Sequence, residues 1–95
     1  MTIDSTADIV IKNNILIVDD HPFIIEGYKN AITRYHPEQY SFYIDQAKDC
    51  QYAYNIITNP DTPIFDIAFL DISMPPYAEK NIYSGEDLAK LLLQY

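Results

Sequence analysis

The sequence predicts an α/β domain with a doubly wound parallel sheet. Three observations carry that expectation. Strand-like runs alternate with helical stripes three times over, the inner strands read as continuously apolar, and two of them end abruptly in aspartate. The chain has 95 residues, enough for one small domain. A chain of that size buries only about 60–65% of its unfolded surface, so a thin core is expected.

Residues 1–10 read as a loose leader, and the domain is expected over 11–95. Ile11 to Val18 is a β-branched run interrupted by Lys12-Asn13-Asn14. Its second part, Ile15-Leu16-Ile17-Val18, has no polar face, as in a strand covered on both sides. Pro22 then suits the first turn of a helix, where its missing N–H is no loss. Ile24, Tyr28, Ala31, Ile32 and Tyr35 fall at i, i+4, i+7, i+8 and i+11, one helical stripe. Gly27 within it costs roughly 1 kcal/mol against Ala and is expected to let the helix approach the sheet closely. His36-Pro37 stops the helix.

Tyr40 to Ile44 alternates Tyr40, Phe42 and Ile44 with Ser41 and Tyr43, a second strand. Over Asp49 to Thr58, residues Cys50, Ala53, Tyr54 and Ile57 form a second helical stripe, ended by Asn59-Pro60. After a turn at Asp61-Thr62-Pro63, Ile64 to Leu70 is a third strand that stops at Asp71. Ile72 to Tyr83 holds Pro75-Pro76 and no apolar period, so it is a loop. Ser84 and Asp87 form a capping-box arrangement at the start of a third helix, with Leu88, Leu91, Leu92 and Tyr95 on one face. Alternation of this kind implies right-handed crossovers and helices on both faces of the sheet.

Composition excludes several classes. Six Lys and Arg stand against fourteen Asp and Glu, a formal charge of −8. That balance argues against direct nucleic-acid binding and against an anionic membrane surface. Apolar residues make up 48%, too many for a disordered tail. The single Cys50 forms no internal disulfide, and a buried, inert thiol in a reducing cytoplasm is expected. No signal peptide, membrane-spanning run or repeat is visible. Two separated His and one Cys make no zinc site, and His21 reads chiefly as the residue before Pro22. Most of the nine Tyr read as packing residues, with Tyr28, Tyr54 and Tyr95 on core stripes.

Chemistry concentrates in the acids. Asp19-Asp20 follow the first strand and Asp71 the third. Sites of open parallel sheets lie outside the carboxyl ends of the strands. Adjacent strands would bring three carboxylates together, and like charges that close need a proton or a cation. An all-oxygen set at a strand tip suits Mg²⁺, and a carboxylate beside such an ion can act as a nucleophile toward phosphorus. An acid after a strand is often only a cap or turn residue. Ile-Val-Asp-Asp at one strand end with Leu-Asp-x-x-Met-Pro at another is a far rarer combination.

Those paired motifs, ILIVDDHPFIIEG over Ile15 to Gly27 and FDIAFLDISMP over Phe65 to Pro75, resemble the receiver domain of bacterial two-component response regulators. The match extends weakly through Ser84 to Ala89, and His21-Pro22 with Glu26-Gly27 is similar to the subfamily with a helix-turn-helix output domain. The resemblance implies a flavodoxin-like fold and a phosphoacceptor that takes a phosphoryl group from a histidine kinase or phosphotransfer protein. It makes Asp71 that acceptor. Asp19, Asp20, Asp71 and the Ser73 backbone carbonyl would bind Mg²⁺. The domain would switch a transcriptional output domain and would not itself be an enzyme.

The family also carries a fourth strand ending in Ser or Thr and a fifth ending in Lys. This chain holds neither, and Lys80 and Lys90 match neither position, so a fragment of a longer regulator is expected. The third strand then becomes an apolar sheet edge, for which self-association is expected. A degenerate receiver serving only as a protein-interaction module is an alternative. A Mg²⁺-dependent phosphohydrolase fits less well, since Asp71-Ile72-Ser73 lacks the second acid such enzymes use. The loop over 75–84 reads as a tolerated surface insertion, its alternative being a cover for the acids or a partner contact.

Overall fold

The central strand of the sheet is the most apolar one. In the computed structural model, which describes residues 11–34 and 40–95, β1 (Ile11–Val18) lies between β2 (Tyr40–Ala47) and β3 (Ile67–Leu70). All pairings are parallel. β1 pairs with β2 along its whole length, and Ile15–Val18 pairs with Ile67–Leu70. Three helices, α1 (Pro22–Thr33), α2 (Cys50–Thr58) and α3 (Gly85–Leu92), alternate with the strands. The chain is thus an α/β unit of three parallel strands and three helices in strand-helix order.

Alternation along β1 explains its lack of a polar face. Ile15 and Ile17 point to one side and pack with Ile25 of α1, against Ile32, Phe42, Ile44 and Phe69. Leu16 and Val18 point to the other and join Ala47, Cys50, Ala53, Ile57 and Leu88 beneath α2 and α3. Burial raises the Cys50 thiol pKa, with the nearby charges of Asp49 and Asp87 adding to it. Among the described residues no helix is long and apolar enough to cross a membrane.

Several expectations change in detail. On α1 the sheet-facing stripe is Ile25, Tyr28 and Ile32, one residue round from the expected one: Ile25 is 3% exposed and Ile24 is 47% exposed. Both phases satisfy helical spacing, and docking on β1 chooses between them. Gly27 does not admit close approach, since a Cβ there would meet nothing within 4 Å. Tyr28 stacks on Phe69 at 4.6 Å. Tyr35, His36-Pro37 and the leader 1–10 lie outside the described residues.

β2 runs on to Ala47, and β3 is shorter than expected, starting at Ile67. Ahead of it Asn14 holds the incoming chain, its carbonyl accepting from the Asp66 N–H at 2.7 Å. Its side-chain NH₂ donates to the Ile64 carbonyl at 3.0 Å, and its backbone N–H donates to Asp66 Oδ2 at 2.7 Å. Ile64 itself is left 75% exposed.

The loop after β3 is mostly exposed, and two of its side chains anchor it to the core. It folds back through an antiparallel bridge between Tyr77 and Ile82, turned by Asn81 in the left-handed region at φ 61°. Met74 and Ile82 are buried against α2. The Pro75 carbonyl accepts from the Cys50 N–H at 3.1 Å, and Tyr77 meets Tyr54 edge-on at 5.5 Å. At the start of α3 the cap also differs. Ser84 makes no side-chain cap, and Asp87 Oδ2 accepts the N–H of Tyr83, one residue earlier, at 2.9 Å. Leu88 is buried as expected, whereas Tyr95 at the end of the stripe is 59% exposed.

Candidate functional site

The carboxyl ends of β1 and β3 are neighbours, so their acids meet. The Asp71 N–H donates to the Val18 carbonyl at 2.9 Å, and the Asp19 N–H donates to the Ala47 carbonyl at 3.0 Å. These bonds extend the ladders by one residue and hold both acid backbones in the sheet frame. Asp20 follows outside the sheet, with a more exposed side chain: 36% against 14% for Asp19.

His21 closes the cluster. Its Nδ1 lies 2.9 Å from Asp19 Oδ1 and 2.8 Å from Asp20 Oδ1. Its backbone N–H also donates to Asp19 Oδ1 at 2.9 Å. The hydrogen bond to Asp19, then the charge of Asp20, raise the imidazole pKa above its ordinary value, with desolvation opposing. One ligand atom from each of Asp19, Asp20, His21 and Asp71 fits within a span of 4.8 Å. When protonated, the imidazole supplies positive charge beside Asp19 and Asp20. Its side chain is 68% exposed.

Asp71 has its own support. The Ser73 N–H donates to Asp71 Oδ1 at 3.2 Å, and among the described residues no hydrogen bond engages Oδ2. Gly85 presses on the same peptide from behind. A Cβ at Gly85 would stand 2.2 Å from the Asp71 carbonyl oxygen, so only glycine fits at the first residue of α3. Asp19 and Asp71 open into a cleft of about 510 Å³, whose other walls include Tyr28, Phe69 and Ile72.

The three acids and His21 could hold a cation. An octahedral Mg²⁺ with ligands at about 2.1 Å spans about 4.2 Å between opposite oxygens. The four atoms of the cluster lie within 4.8 Å of one another. Among the described residues, Lys29 pairs with Glu26 at 3.5 Å and no Lys or Arg pairs with the three acids. Lys80 lies elsewhere, 5.8 Å above the Tyr54 ring.

Sequence reasoning named Asp19, Asp20 and Asp71, and the fold brings all three together. Ser73 joins them through its N–H. Two contributors were underweighted. His21 is expected chiefly at the helix start, with a charge-sensing role beside the acids as the alternative, and the structure sets it against both Asp19 and Asp20. Gly85 carried only the hint of a glycine opening a helix. Comparison with protein-family models, curated proteins and solved structures finds no match to this chain.

Proposed function

We propose that the chain provides the first three strand-helix units of a receiver domain from a two-component response regulator, with flavodoxin-like topology and Asp71 as phosphoacceptor. One observation carries this reading: Asp71 stands with Asp19 and Asp20 at the carboxyl ends of adjacent parallel strands, within reach of one cation. The order β2-β1-β3 is the one the receiver topology starts with. Asp19, Asp20, Asp71 and the Ser73 carbonyl hold Mg²⁺ in this reading, and His21 swings aside when the ion enters. The ion, when bound, shields the acids from the incoming phosphoryl oxygens.

The reaction follows from the carboxylate geometry. Asp71 Oδ2, the oxygen not engaged by Ser73, attacks the phosphorus of a phosphohistidine. A P–O bond to Asp71 forms, the P–N bond breaks, and the leaving imidazole takes up a proton. Ser73 holds the attacking group in orientation, and the ladder bond to Val18 fixes the peptide behind it. The output is a conformational signal to a transcriptional output domain, not turnover of a substrate, and a cytoplasmic setting suits it.

The experiment is phosphorylation with acetyl phosphate and Mg²⁺, read by intact mass, in the chain and in Asp71→Asn. The expected result is an acid-stable, base-labile adduct of one phosphoryl group, absent from the variant. Multiple turnover of phosphate esters supports the phosphohydrolase. No adduct and no Mg²⁺ binding leave the protein-interaction module.

A further inference from the structure

We infer that the groove between β2 and α2 is a binding site for a guanidinium cation. The inference does not rest on phosphoryl transfer; it follows from the rings and acceptors that line the groove and from the positive charge it lacks.

Helical spacing and strand alternation build the groove. Tyr52, Asn55 and the cap residue Asn59 fall at i, i+3 and i+7 on one face of α2. Tyr43 and Asp45, two apart on β2, point to the same side of the sheet as Ala47, which is buried beneath α2. Asp61, in the turn after α2, completes the lining. These residues enclose about 440 Å³ beside the half-buried Ile56, a volume in the range of small-ligand sites. The groove does not owe its opening to the end of the chain. β2 is the edge opposite β3, and in the receiver order further strands add beyond β3.

Its chemistry selects a flat cation with N–H donors. Two carboxylates and two phenol rings line it, and no Lys, Arg or His does. The Tyr43 hydroxyl donates to Asp45 Oδ2 at 3.2 Å and the Gln46 N–H to Asp45 Oδ1 at 3.0 Å, which holds that carboxylate in place. The Asp45 charge raises the Tyr43 phenol pKa, in keeping with negative potential in the groove. Asp61 gives its backbone N–H to Asn59 Oδ1 at 2.9 Å, while among the described residues its carboxylate and the Asn55 amide make no hydrogen bond. Tyr43 and Tyr52 are 45% and 58% exposed, enough for a flat cation to lie against a ring. A guanidinium carries five N–H donors in one plane and is weakly hydrated, so it can stack on a phenol while it bonds carboxylate and amide oxygens. A quaternary ammonium has no N–H for those oxygens, and a primary ammonium holds its water more tightly.

The test titrates the ¹⁵N-labelled chain with ethylguanidinium chloride, with tetramethylammonium chloride at matched ionic strength, and with a blocked peptide of one arginine between glycines. The expected result is saturable shifts of the Asp45, Tyr52 and Asp61 amides and of the Asn55 and Asn59 side-chain NH₂ groups, with a Kd for ethylguanidinium of about 1–10 mM. Tetramethylammonium should bind at least about threefold more weakly. Equal or tighter binding of the peptide assigns the site to an arginine side chain, and binding of ethylguanidinium without the peptide assigns it to a small free cation. Asp61→Asn and Tyr52→Leu should each weaken ethylguanidinium about threefold. Both positions are exposed, and circular dichroism checks that each variant keeps its fold. Equal binding of ethylguanidinium and tetramethylammonium, unchanged affinity in both variants, or shifts centred on Asp19, Asp20 and Asp71 overturns the inference. Acetyl phosphate labelling of Asp71 is read separately and stands or fails by itself.

Discussion

Replacing Gly85 by alanine tests whether the acid cluster depends on the close seat of α3. The added Cβ would lie 2.2 Å from the Asp71 carbonyl oxygen, 3.0 Å from its carbonyl carbon and 3.4 Å from the Ile72 Cα. Carbon–oxygen contacts are comfortable at about 3.3 Å, so helix and strand end must separate by about 1 Å. All three atoms are backbone, and no flexible side chain can yield in their place. Overpacking of this kind costs about 1–3 kcal/mol. At about 2 kcal/mol a domain this small loses roughly 8–16 °C in Tm. The displacement falls on the residue that must stay within one cation's span of Asp19 and Asp20, so Mg²⁺ affinity should drop as well. Thermal unfolding followed by circular dichroism, with and without Mg²⁺, reads both effects. Gly27→Ala is the control: its Cβ meets nothing, and the change should stabilise α1 by roughly 0.5–1 kcal/mol. Equal Tm values and equal Mg²⁺ affinities for Gly85→Ala and the parent chain would refute the reasoning.

His21 gives a pH signature. Its folded pKa lies above the ordinary value, so its contribution to stability is full below the unfolded pKa of about 6.5 and fades as pH rises through the folded pKa. His21→Ala should therefore destabilise more at pH 5 than at pH 9 in urea titrations, and Mg²⁺ should lower the imidazole pKa followed by NMR. Leu88, fully buried beneath the sheet, should cost about 2–5 kcal/mol when cut to alanine, measured as a fall in urea midpoint at unchanged slope. Asn14→Ala removes the donor to the Ile64 carbonyl and should cost about 1 kcal/mol, with faster amide exchange at the start of β3.

Much of this architecture was legible because it is local. The apolar run 15–18, the stripes of α2 and α3, and the aspartates at strand ends are patterns a chain shows before it folds. They specify element order, and that order with the right-handed crossover rule restricts the sheet to a few topologies. The acids were legible for the same reason: a strand end is a place in the sequence as well as in space.

Tertiary structure decided the rest. Helical spacing suits Ile24 as well as Ile25, and only docking on β1 selects Ile25. Met74 and Ile82 stand in a stretch with no period, and their burial follows from tertiary packing into the cluster that α2 and α3 share. The Gly85 contact with Asp71 and the His21 bridge between two carboxylates join residues through space, where neither periodicity nor composition has reach. The sequence by itself determined which segments become strands and helices, because backbone sterics and amphipathic spacing act over a few residues. Which face is buried, and which charges share one cation's span, was decided only when the three strands paired and set their ends side by side.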